Sequence, residues 1–221
     1  MKRLKSVGFC IGIIIACVGC SSNTTNNTSV RTTENFNIES ALSSEMTEGK
    51  YQNYSHVVPE AKTVYFSSLK EMEDYSNIIV SAKREKGEKS VIEKNDNNVY
   101  STYSFSHVLV EKVYKDDDQS GRKLEGKEIT VLENEAVDEE TKTVYHVGDY
   151  NMMVPGCEYL LFLKECELNG ETYYVASGVN CGTISMDVDG RDFVRGEKDE
   201  KDPAFDDYRD LWEAAKAKYL Q

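Results

Sequence analysis

A chain of 221 residues with 39% hydrophobic and 10% aromatic content can bury one sizeable core and still carry tails. Its formal net charge of -13 argues against nucleic acid as a partner, because phosphates demand a basic surface. With 3 His in the whole chain, any catalytic histidine must be His56, His107 or His146, and with 3 Pro there is no proline-rich linker.

Lys2, Arg3 and Lys5 precede an uncharged run over residues 7–19, the charged and apolar regions of a secretory leader. The run is shorter than the roughly 20 apolar residues a membrane span needs. Ile14-Ile15-Ala16-Cys17 and Cys17-Val18-Gly19-Cys20 both place a small residue before a cysteine at its end. This pattern resembles the lipobox of bacterial lipoproteins, which implies cleavage after residue 16 and a diacylglyceryl group on Cys17. Cys20, followed by Ser21-Ser22-Asn23, is the alternative. Two acyl chains, at about 0.8 kcal/mol per buried CH₂, give stable anchoring where one does not. Loss of three lysine and arginine residues with the leader takes the net charge from -13 to -16, so the body is repelled from an anionic bilayer.

Residues 17–50 open on Ser, Thr and Asn and stay poor in apolar side chains, so they read as a flexible tether that cannot offset its own ordering entropy. The body is expected over residues 51–200, followed by a terminal helix over 201–221. Ser68-Leu69-Lys70-Glu71 has the spacing of a capping box and predicts a short helix over 68–75. Residues 78–82 read as a strand, and the charged stretch 83–98 as exposed connection. Residues 99–114 form one long strand. Tyr103, Phe105, His107 and Leu109 share its apolar face, so that face is expected to be buried, with His107 a core histidine.

Further strands are expected over 129–132, on both sides of a turn at 138–142, and over 184–187 and 191–194 around Asp189-Gly190. The central hairpin spans residues 155–182. Leu168-Asn169-Gly170 turns between the apolar run 159–163 and the aromatic, β-branched run 172–176. A three-residue loop sets Cys157 opposite Cys181, within disulfide reach; a two-residue loop shifts the register by one. A Cys157–Cys181 bridge is therefore expected, stabilising by about 3 kcal/mol in the chain-entropy model. Cys166, of opposite parity to Cys157, is expected on the other face as a buried thiol.

Asp202-Pro203 starts the last helix, whose Phe205, Tyr208, Trp212, Ala215 and Tyr219 make one apolar stripe that packs on the body. Short strands joined by Gly, Asn and Asp turns, with little helix between them, predict a mainly β fold: a small antiparallel closed barrel or a sandwich.

No nucleophile elbow, His-Glu-x-x-His pair or phosphate loop occurs, so no catalytic residue is assigned. The gaps between Cys157, Cys166 and Cys181 do not match structural zinc sites. Asp187, Asp189 and Asp192 match only part of a calcium loop, and Asp116-Asp117-Asp118 reads as a solvated turn. Neither metal nor cofactor is expected.

The runs NIIVSAK, YSTYSFSHVLVEKVYK, GKEITVLE and GCEYLLFL, over about residues 77–192, resemble uncharacterised surface lipoproteins of Gram-positive bacteria. The resemblance implies an OB-like barrel, a topology shared with the N-terminal domain of tissue inhibitors of metalloproteinases. The chain lacks the N-terminal metal-chelating cysteine of those inhibitors. The expected function is that of a lipid-anchored module at the outer face of the cytoplasmic membrane that binds an extracellular protein, peptide or glycan without catalysis. A peptidase inhibitor, or a secreted hydrolase or thiol enzyme using Cys166 or His107, is the alternative.

Overall fold

A long two-stranded hairpin carries the architecture. The computed structural model describes residues 29–32, 51, 53–59, 63–95, 98–117, 122–150, 152–168, 170–186 and 203–221. Cys17, Cys20, the leader, most of the tether, Asp118, Asp202 and residues 187–192 lie outside them. The hairpin pairs β3 (Ile78–Asn95) with β4 (Asn98–Asp116). At about 3.3 Å per residue such strands run near 60 Å, and register shifts between Ile79 and Val80, Ser81 and Ala82, Arg84 and Glu88, and Glu93 and Lys94 let them bend.

The barrel half of the hairpin pairs with β5 (Glu128–Glu133) on one side and β8 (Glu158–Leu168) on the other. A parallel contact of β5 with β9 (Glu171–Ala176) and an antiparallel one of β9 with β8 complete the ring β3-β4-β5-β9-β8, which returns to β3. The closed barrel was one of the two expected forms, with one parallel pair among its otherwise antiparallel contacts. Closure removes the open edges along this ring. β1 (Ser29–Thr32), within the expected tether, adds to β3, and β10 (Thr183–Ser185) adds to β8. A second sheet joins β2 (Ser55–Val57), β7 (Thr143–His146) and β6 (Glu135–Asp138) in that order.

Two cores result. Inside the barrel, Ile78, Val80, Val108, Val110, Val131, Tyr159, Leu161 and Leu163 pack together. Outside it, Ile79, Leu160, Phe162, Cys181 and Ile184 pack against the helices. The two groups alternate along β8, as a strand buried on both faces requires. Helix α1 (Leu69–Tyr75) is capped by Ser68, whose hydroxyl accepts from Glu71 N–H at 3.2 Å, while the Glu71 carboxylate accepts from Ser67. Helix α2 (Pro203–Tyr219) buries Leu211, Trp212 and Ala215 in the outer core, as its stripe predicts. Glu73 ties α1 to α2 by accepting from Lys218 Nζ at 2.6 Å and Tyr219 OH at 2.7 Å.

The Cys157–Cys181 bridge is not formed. β8 and β9 pair Leu168 with Glu171 and Leu163 with Ala176, the register of the shorter loop. The ladder then breaks: Thr183 faces Leu161, where an unbroken register would set Gly178. The intervening excursion carries Cys181 outward beneath Trp212, whose indole N–H donates to the Cys181 carbonyl at 3.2 Å. Cys157 packs against the inner core, on the other side of the wall. The excursion depends on Gly178, at φ 66°, where a Cβ would sit 2.4 Å from Cys181 Sγ and 2.8 Å from the Val64 carbonyl oxygen.

Candidate ligand-binding face

The alternation of β4 is inverted relative to its hydrophobicity. Thr102, Ser104 and Ser106 are buried, while Tyr103, Phe105, His107 and Leu109 are half-buried on the outer face. His107 is thus not a core histidine: its side chain is 39% exposed, and Nδ1 lies 3.3 Å from Glu128 Oε1.

The inversion has a steric and an electrostatic cause. Small side chains at 104 and 106 leave room inside for Glu133 and Arg84, both fully buried, with Arg84 Nε 3.6 Å from Glu133 Oε1. Ser106 Oγ donates to the same oxygen; Tyr150 OH and Met153 N–H donate to Oε2 at 2.9 and 2.6 Å. Burial pushes the Glu133 carboxyl up, opposed by Arg84 and these three donors. Ser104 donates to the Glu135 carbonyl at 2.6 Å and meets Ser90 Oγ at 3.0 Å, while Val137 N–H donates to Ser90 at 3.0 Å. The second sheet therefore covers the polar face of the hairpin, and the aromatic face is left to the outside. Arg84, in the stretch expected to be exposed connection, is part of this interior.

On the outer face the register sets Phe105 beside Leu132 and Leu132 beside Val175, one apolar row across β4, β5 and β9. Phe105 stacks on Tyr173 with centroids 4.6 Å apart and meets Tyr103 edge-on at 5.3 Å. The Tyr173 phenol donates to Glu171, and that bond pushes its pKa up to about 12. Burial, reinforced by Glu93, also raises Tyr103. Both phenols are consequently neutral hydrogen-bond donors around an apolar platform.

Cys166 faces Tyr173 across the hairpin, half-buried, its thiol donating to the Tyr173 carbonyl at 3.4 Å. It lies on the side opposite Cys157, as its parity predicts. Asp116 and Asp117, in the expected acidic turn, bond Arg122 at 3.4 Å and Lys115 at 3.1 Å. Among the described residues no group of three or more His, Cys, Asp or Glu is placed to hold a metal ion.

His56 and His146, 90 positions apart, meet on neighbouring strands of the second sheet at 2.8 Å, and His146 bonds Glu135 at 2.9 Å. Nothing local in the sequence marks this contact, since it exists only through the β2–β7 pairing. No family model matches this chain, and no curated protein matches it.

Proposed function

We propose that this chain is a lipid-anchored extracellular binding module without catalysis of its own, and that the outer face of β4, β5 and β9 takes a glycan. The observation that carries the reading is the outward row of Phe105, Leu132 and Val175 with Tyr103 and Tyr173 beside it. Sugar rings have apolar C–H faces that lie against aromatic rings and hydroxyls that bond to phenols and carboxylates at the margin. The strand face of small OB-like barrels serves oligonucleotides and oligosaccharides, and the charge of -13 opposes the first. A peptide added as an extra strand needs an open edge, which the closed ring does not offer there.

The leader, the cysteines at 17 and 20 and the resemblance to Gram-positive surface lipoproteins support anchoring on the outer face of the cytoplasmic membrane. Among the described residues no helix is long and apolar enough to cross a membrane. A thiol enzyme would need a base to take the proton of its sulfur, and the Cys166 thiol donates to the Tyr173 carbonyl.

Two experiments test the reading. Metabolic labelling with a palmitate analogue should mark the chain and lose the mark in Cys17→Ser, while Cys20→Ser retains it. The mature chain should co-sediment with purified cell-wall polysaccharide and release no reducing sugar. Absence of retention, or hydrolysis of the polysaccharide, contradicts the proposal.

A further inference from the structure

Nδ1 of His56 faces Nε2 of His146 at 2.8 Å. The outer nitrogen of each ring also has partners: His56 Nε2 lies 3.1 Å from the Tyr51 carbonyl oxygen, and His146 Nδ1 lies 2.9 Å from Glu135 Oε2 and 3.1 Å from the Tyr150 carbonyl oxygen. Carbonyl and carboxylate oxygens accept hydrogen bonds and cannot donate them, so each outer nitrogen carries a hydrogen. A neutral imidazole has one N–H. With both hydrogens turned outward, the two facing nitrogens hold only lone pairs, and a contact of hydrogen-bond length between them requires one more proton. The rings are 9° from parallel with centroids 5.1 Å apart. Combined with the 2.8 Å between nitrogens, this sets the rings edge to edge with the nitrogens in line, the geometry along which a proton is shared.

We propose that His56 and His146 bind one proton between their facing nitrogens, as an imidazole–imidazolium pair balanced by Glu135, and that this proton fastens β2 to β7. The strand it holds is three residues long and exposed throughout, with a short parallel ladder to β7 as its backbone attachment. A second proton would turn two N–H groups and two positive charges toward each other. Loss of the shared proton would oppose two lone pairs. Either change releases β2, so its attachment is strongest in an intermediate pH window and weakens on acidification, when a second proton enters the pair.

The groups that face the pair are few among the described residues. β6 supplies Glu135, which also accepts from Met152 N–H at 3.2 Å. The segment after β7 supplies the Tyr150 carbonyl, the phenol of that residue being turned inward to Glu133. The turn before β2 supplies the Tyr51 carbonyl. Tyr54, Glu139 and Lys142 form a separate group: Lys142 Nζ donates to Tyr54 OH at 2.9 Å, and Tyr54 donates to Glu139.

Histidine-selective ¹⁵N spectra of the full chain, recorded with a chelator so that the proton is the only cation offered, test this. At about pH 7 the hydrogens should sit on His146 Nδ1 and His56 Nε2, with one strongly deshielded proton shared between the other two nitrogens. Amide exchange in Ser55–Val57 should accelerate about tenfold or more between about pH 7 and 5, after correction for intrinsic rates, while β8 and β9 stay protected. In His56→Phe that pH-dependent step should vanish. A bare outer nitrogen on either ring, unchanged β2 protection in the wild type, or an equal step in His56→Phe overturns the proposal. If His56→Phe does not fold, the wild-type tautomers and exchange decide alone.

Discussion

Phe105 on β4 and Tyr173 on β9 stack with ring centroids 4.6 Å apart and 25° between planes, over the intervening strand β5. Neither ring belongs to the barrel core, which ends at the methyl groups of Val108 and Val131 on the other side of the same wall. Large rings kept on the outer surface while serines and threonines fill the inner one are the reverse of what burial of apolar area favours; the buried Arg84–Glu133 pair and the second sheet, which take up the polar side, account for the arrangement and leave the rings on the outer face.

The two sides of the wall should respond differently to truncation. Leu161→Ala, in the closed core, should cost about 2–5 kcal/mol. Phe105→Ala, on the outer face, should cost less, under about 1.5 kcal/mol, since its ring is only partly buried where Leu161 is fully so. Urea titration measures both. Equal losses would mean that the aromatic face is structural.

The buried Arg84–Glu133 pair should be strongly asymmetric. Arg84→Met leaves the carboxylate buried without its guanidinium and should destabilise by about 3–5 kcal/mol. Replacing both partners, with Glu133→Gln added, should recover more than half of that loss. A single-mutant cost below about 1 kcal/mol would show that the pair does not hold the interior together.

Lys94 bridges β3 to β6 by donating to Asp138 at 2.9 Å. Burial alone would raise the Asp138 carboxyl, but Lys94 and the Thr141 N–H outweigh it and hold the pKa below its usual value. A depressed folded-state pKa contributes stability that is present above the unfolded value near 3.9 and lost as pH falls through the folded one. Asp138→Asn should thus cost about 2 kcal/mol at neutral pH and progressively less as pH falls through the depressed folded-state value. Stability curves for the two chains that stay parallel down to acid would contradict this.

Burial pushes the Cys181 thiol up to about 12, and its sulfur donates to the Ser177 carbonyl at 3.3 Å beneath α2. The thiolate is the reactive form. Cys181 should therefore resist iodoacetamide in the native chain and react in urea without any reductant. A non-reduced peptide map that joins residues 157 and 181 would refute the register described above.

Local signals carried much of this architecture. The capping serine at 68, the stripe through Trp212 and Ala215, and the glycine at 170 each act within a few residues, and the elements they mark are present. Elements whose burial depends on distant partners carry no such local signal. Thr102, Ser104 and Ser106 look like a solvent face until Glu133 and the second sheet arrive to cover them. The charged stretch after residue 82 looks like a loop until Arg84 is seen to point inward while its neighbours stay in the ladder. The displaced ladder between Ala176 and Thr183 has no local mark beyond its glycines, and it removed the expected disulfide.

The central claim is most directly tested by amide and methyl chemical-shift mapping of the mature chain during titration with solubilised cell-wall oligosaccharide. Perturbations should gather on Tyr103, Phe105, Leu132, Tyr173 and Val175 and disappear in a Phe105→Ala, Tyr173→Ala double variant that retains its fold. Saturable shifts centred on α2 or the second sheet, or none at all, would contradict the account.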